Sequence, residues 1–147
     1  MKVSIAFIQW VSEALLLNEK FTTSLISELL ETKPNTNGFD IEFSTQKLNV
    51  IAEIKCNIPI NGGSVYGSAQ KIGITKDINS LFNGKNKSNI NTDDYFKFMV
   101  FLDKPEIREA TSHFVKNSKN NKGNICFFEN ETMPLDNNKV YIVFVGI

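Results

Sequence analysis

Gly38-Phe39-Asp40-Ile41-Glu42-Phe43 and Leu48-Asn49-Val50-Ile51-Ala52-Glu53-Ile54-Lys55-Cys56 are the two stretches whose reading decides the fold. The first alternates apolar and acidic residues from Phe39 on, the period of a half-buried strand; the second is longer and more apolar. With the polar turn Ser44 to Lys47 between them, they read as a β-hairpin. Successive side chains on a strand point to opposite faces, so Glu53 and Lys55 share one face while Ala52, Ile54 and Cys56 share the other. Asp40 and Glu42 share a face of the first strand. A turn centred near residue 46 sets Asp40 opposite residues 51 to 53. Asp40 and Glu53 are then close enough to hold one divalent cation. Two carboxylates, the Ile54 carbonyl and waters make an oxygen-rich site suited to Mg²⁺, with Mn²⁺ as a substitute.

An acid and a lysine side by side on so apolar a strand are costly without a use. Bound Mg²⁺ stabilises charge on a phosphodiester and lowers the pKa of a water, while Lys55 can orient that water or steady the developing negative charge. In-line hydrolysis at phosphorus is the reaction class that follows. The plainer alternative is an exposed Glu-x-Lys ion pair, worth only about 0–1 kcal/mol at a surface.

Upstream, Val3, Phe7, Trp10, Val11, Ala14 and Leu17 recur at helical spacing, and so do Phe21, Leu25, Ile26, Leu29 and Leu30. Thr22, Thr23 or Ser24 caps the second helix, or the first runs on through Asn18. Lys33-Pro34-Asn35-Thr36-Asn37-Gly38 ends it. Downstream, Asn57 to Gly67 is a glycine-bearing loop that matches neither a Walker loop nor a dinucleotide fingerprint. Ser68 to Phe82 reads as a helix stopped by Asn83-Gly84. Tyr95 to Leu102 reads as a central strand, Glu106 to Lys116 as a helix opened by Pro105, and Ile125 to Phe128 and Val140 to Val145 as closing strands. One domain over 1–147 follows, in the order αα-ββ-α-β-α-ββ. It has a helical part at 3–32, a catalytic core at about 18–102 and a last helix and strands at 105–147; the class is mixed α/β, a central sheet flanked by helices.

The chain has 147 residues, 41% of them hydrophobic, with 16 basic residues balancing 16 acidic ones. Zero net charge excludes a polybasic tail that binds nucleic acid by bulk attraction, so an anionic partner must be held by a few placed cations. Arg108 is the single arginine among those 16 cations, which argues against dense base-edge readout by arginine forks. Cys56 and Cys126 do not make a disulfide framework. Gln9 and Glu13 interrupt the first apolar run, which is too short and polar for a span and lacks a small-residue cleavage site. A soluble protein of the reducing cytoplasm is the expectation.

The pattern Gly38-Phe39-Asp40, then Ile51-Ala52-Glu53-Ile54-Lys55, behind one helix and ahead of another, resembles the PD-(D/E)xK nuclease superfamily. Gly73-Ile74-Thr75-Lys76-Asp77-Ile78-Asn79-Ser80-Leu81 is similar to the helix that follows the motif in restriction-endonuclease-like members, and the resemblance spans roughly Asn18 to Leu102. It implies a restriction-endonuclease-like sheet in which Asp40 and Glu53 ligate metal and Lys55 assists the water. It also implies an acidic residue from the helix before the hairpin, for which Glu19 stands first and Glu28 behind it. Phe39 stands where proline is usual. Gln70 fits the glutamine of the RecB-like exonuclease branch, but Ile74 occupies its tyrosine position. No first meander strand is evident between Glu31 and Phe39.

Other residues carry weaker signals. Lys71 and Lys76 on the following helix are candidate phosphate contacts; Lys116, Lys119 and Lys122 form a basic loop able to ride on a DNA backbone. Asp77 reads as a residue that caps or pairs locally, and His113, Cys56 and Trp10 read as packing residues. One histidine permits no histidine-based zinc site or triad. The expectation is a Mg²⁺-dependent DNA endonuclease of restriction, defence or DNA-processing type, as a homodimer or part of a larger assembly. The rival is a catalytically silent nuclease-like domain that binds nucleic acid or protein.

Overall fold

Two apolar patterns with different periods, helical in some segments and strand-like in others, must bury their apolar sides against one another. In the computed structural model, which describes residues 1–31, 38–86, 88–118 and 123–147, they do so as three layers around one sheet. The elements are α1 (Lys2–Ala14), α2 (Glu19–Glu31), β1 (Ile41–Ser44), β2 (Asn49–Lys55), α3 (Ser68–Asn83), β3 (Phe96–Leu102), α4 (Pro105–Asn117), β4 (Ile125–Phe127) and β5 (Val140–Val145), with single 3₁₀ turns at Ile60–Gly62 and Thr92–Asp94. The sheet order is β1-β2-β3-β5-β4. Only the β1–β2 hairpin is antiparallel; the other three pairings are parallel. The fold class is therefore mixed α/β, as the alternation of strands and helices after the hairpin demands.

Strand alternation divides the core in two. Val50 and Ala52 of β2, Phe98 and Val100 of β3 and Tyr141 and Val143 of β5 face α1, which contributes Val3, Phe7, Ile8 and Val11; α2 adds Phe21, Leu25, Ile26 and Leu29 at its margin. Ile51, Met99, Phe101 and Ile142 face the other way, onto Ile74, Ile78 and Leu81 of α3 and Ile107 and Ala110 of α4. Buried on both faces, β3 and β5 read as near-continuous apolar runs, with the exception of Lys97. Among the described residues no helix is long and apolar enough to cross a membrane.

Several local expectations need correcting. The first two helices are separate. Leu16 takes a positive φ of 54° between them, and it is Asn18, not Thr22, Thr23 or Ser24, that accepts from the Lys20 N–H (2.8 Å) to cap α2. Cys56 is exposed, because it lies one residue past the end of β2. His113 is exposed as well, outside the buried stripe of Ile107, Ala110 and Thr111 on α4. Trp10 is half-buried, yet it packs on Phe7, Phe98 and Phe128. Most of the helix-ending stretch 33–38, the search region for a further strand, and Lys119 and Lys122 lie outside the described residues.

Candidate functional site

The hairpin turn is closed by Thr45, whose N–H bonds the Leu48 carbonyl at 2.7 Å and whose hydroxyl accepts from the Lys47 and Leu48 N–H groups. That turn length sets the register Ile41↔Ala52 and brings Asp40, one residue before β1, beside Glu53. The two interlock through the backbone. Asp40 N–H donates to Glu53 Oε2 (3.3 Å), and Ile54 N–H donates to Asp40 Oδ2 (2.8 Å). The Asp40 carboxyl lies close enough to raise the pKa of Glu53. A strand residue points its N–H and C=O the same way, so the Ile54 carbonyl lies on this side of β2 too.

Burial distinguishes the two acids. Asp40 is exposed, whereas Glu53 is 2% exposed, under α3 on the Ile51 face. Loss of water pushes the Glu53 carboxyl up to about 7; the Lys85 ammonium pulls it down and the Asp40 carboxylate pushes it up again. Glu53 Oε1 is buried against Lys85 Nζ as an ion pair. Lys55, on the same face, does not pair with Glu53. Its Nζ reaches α3 and meets Asp77 Oδ2 at 2.7 Å, each side chain about a quarter exposed. Asp77 is therefore a pairing residue, but its partner lies on β2 rather than in its own segment, so the expected local cap or pair is replaced by a contact between two elements. Lys55 passes Gly73, where a Cβ would come to 3.8 Å from Nζ. It also lines a small recess of about 70 Å³ with Asn57, Tyr66 and Gln70.

Asp40, Glu53, Ile54 and Lys55 therefore converge at the end of β2. The other candidates do not join them directly. Glu19 begins α2, on the far layer of the sheet, and among the described residues it forms no hydrogen bond or ion pair with the other three acidic and basic side chains. Gln70 caps α3: its Oε1 accepts from Gly67 N–H (3.0 Å) and its Nε2 donates to the Ile58 carbonyl (2.8 Å), so it organises the loop that roofs Lys55. Lys71 and Lys76 are exposed and line an open groove along the outer side of α3 with Ile72, Thr75 and Asn79.

Lys85 is the site residue that sequence reading does not find. It lies in a polar loop 32 positions from Glu53, and no spacing rule links the two. The buried Lys97 is likewise missed, although one charge inside a central strand was a legible signal.

The residues present fit a divalent cation. A buried carboxylate faces a second carboxylate and a backbone carbonyl, an all-oxygen set of the hard-cation kind. No group of three or more His, Cys, Asp and Glu side chains comes together among the described residues, so waters would complete the shell, as Mg²⁺ prefers. No family model, curated protein or solved structure matches the chain.

Proposed function

We propose that the chain is a metal-dependent nuclease of the PD-(D/E)xK type, hydrolysing phosphodiester bonds of DNA with Mg²⁺. The observation that carries the reading is the meeting of Asp40 and Glu53 at the end of β2 with Lys55 on the same face. Asp40, Glu53 and the Ile54 carbonyl would hold the cation, which when bound supplies charge stabilisation at phosphorus and a more acidic water. Glu53 serves as an ionised ligand; its backbone link to Asp40 N–H keeps the two acids in register. Lys55 brings a positive charge to the reacting phosphate, where it steadies negative charge or orients the water at Nζ. Asp77 positions that ammonium from α3. Lys71 and Lys76 are the candidate backbone-phosphate contacts, and Glu19 a candidate accessory acid. A cytoplasmic homodimer or larger assembly belongs to the same proposal.

A specific observation favours a second reading, a catalytically silent module that binds nucleic acid or protein: both lysines near the site are already paired, Lys55 with Asp77 and Lys85 with Glu53. Incubation of plasmid and short duplexes with Mg²⁺, Mn²⁺ or EDTA, beside Asp40→Ala and Lys55→Ala, separates the two. Metal-dependent cutting lost in both variants supports the nuclease. Duplex retention without cutting by a folded protein supports the module.

A further inference from the structure

The cation that Glu53 holds comes from the chain itself. Gly84 closes α3 with φ of +85°, in a region that glycine enters freely and other residues do not. The next residue, Lys85, folds back toward the hairpin. Its Nζ meets three groups: the Glu53 carboxylate at Oε1, the Gly38 carbonyl at 2.9 Å, and the Phe39 ring, whose centroid is 5.0 Å away. Gly38 and Phe39 lead directly into Asp40, so one ammonium ties together the two segments that bear the acids. Two carboxylates in contact repel unless a positive charge stands between or beside them, and here that charge is tethered. The lysine side chain is 24% exposed, which leaves the ammonium a way out to water on its flexible stem.

We propose that Lys85 is a built-in competitor for the divalent cation: its ammonium occupies the Oε1 side of the Asp40–Glu53 pair and must leave for the cation to bind. The inference rests on the metal site proposed above. In the metal-free protein Lys85 keeps the acids assembled. When the cation binds, Glu53 exchanges a single ammonium charge for a doubly charged ion that Asp40 also holds. The site therefore fills only at higher metal concentration than the two acids alone would require.

Mn²⁺ titrated into wild type and Lys85→Met by calorimetry, at fixed pH and ionic strength, reads the competition. Mass-spectrometric acetylation of wild-type Lys85 with and without Mn²⁺ reads the departure. Removing a charge-assisted contact predicts binding about tenfold tighter in Lys85→Met. Acetylation of Lys85 should be several-fold slower than that of the exposed Lys71 and Lys76 without metal, and should approach theirs with it. Tighter binding without a rise in Lys85 reactivity would mean charge repulsion alone and overturns the proposal. So does wild type that binds Mn²⁺ with a variant that binds no tighter, an outcome that leaves the metal site standing. If neither protein binds Mn²⁺, both the competition and the metal site fall. The acetylation pattern needs no variant, so it decides the matter should Lys85→Met fail to fold.

Discussion

Glu53 and Lys97 are both buried titratable groups on neighbouring strands, on the same face of the sheet, with different direct partners. Ile51 pairs with Lys97 and Glu53 with Met99; Glu53 is 2% exposed and Lys97 1%. Lys97 has fixed partners. Its Nζ donates to the Tyr95 carbonyl at 2.9 Å and the Asn137 carbonyl at 2.5 Å. Burial pulls its pKa down, and Asp93, Asp136 and Asp94 pull it back up. Glu53 instead has titratable side chains as its partners, Lys85 at Oε1 and Asp40 beside it. A buried ammonium whose direct partners are backbone carbonyls joins the loop before β3 to the loop before β5; a buried carboxyl whose direct partners are titratable side chains can exchange one of them for another cation. The first arrangement is structural, and the second is the one that the proposed metal site draws on.

The largest effects expected of this contrast are on chemistry. Asp40→Ala and Lys55→Ala should each lower single-turnover cleavage of a duplex about 10²–10³-fold, the usual cost of one group that stabilises the reacting charge. Lys97→Ala should leave the rate per folded molecule unchanged. A comparable loss in folded Lys97→Ala would break the distinction.

Stability should show the reverse order. Lys97→Ala removes two charge-assisted hydrogen bonds to part-buried carbonyls, each worth about 1.5–3 kcal/mol, and should lower the unfolding free energy by about 3 kcal/mol in urea titration. Next comes pH. The Glu53 carboxyl titrates near 7 in the folded protein against 4.5 in its ordinary state, so the folded chain holds the extra proton between those values. Its contribution is fully present below about pH 4.5 and is lost as pH rises through 7, a fall of about 2–3 kcal/mol. Glu53→Gln should remove that part of the slope, measured as the difference between the two proteins' unfolding free energies from pH 5 to pH 8 without metal. An identical slope in both would place Glu53 in an ordinary ionisation state. The smallest effect is Gly84→Ala, which should cost about 1–2 kcal/mol in thermal unfolding because of the positive φ.

Much of this was legible because it is local. The Phe39-to-Phe43 alternation, the four-residue polar turn and the Val50-Ile51-Ala52 run together give the observed register, and with it the Asp40–Glu53 approach. Helix α3 is read to within one residue of its observed end at Asn83, since Gly84 stops it. What escaped depends on contacts distant in the chain. Lys85 reaches Glu53 only because α3 packs across β2. Glu19 has helical neighbours but sits on the layer that α1 and α2 form over the other face. Cys56 carries the strand's alternation one step beyond the point where a neighbour covers it, so periodicity marks it apolar while the sheet leaves it exposed. His113 lies on an amphipathic helix, and only the packing of α4 shows which stripe faces the core.

The central claim is that the end of β2 is a divalent-cation site. Anomalous scattering from crystals of the wild-type protein grown with Mn²⁺ locates the ion directly. The account predicts a peak bonded to both the Asp40 and Glu53 carboxylates at about 2.1–2.2 Å, with Lys85 Nζ moved away from Oε1. Mn²⁺ bound elsewhere, with Lys85 still seated on Glu53, would contradict it.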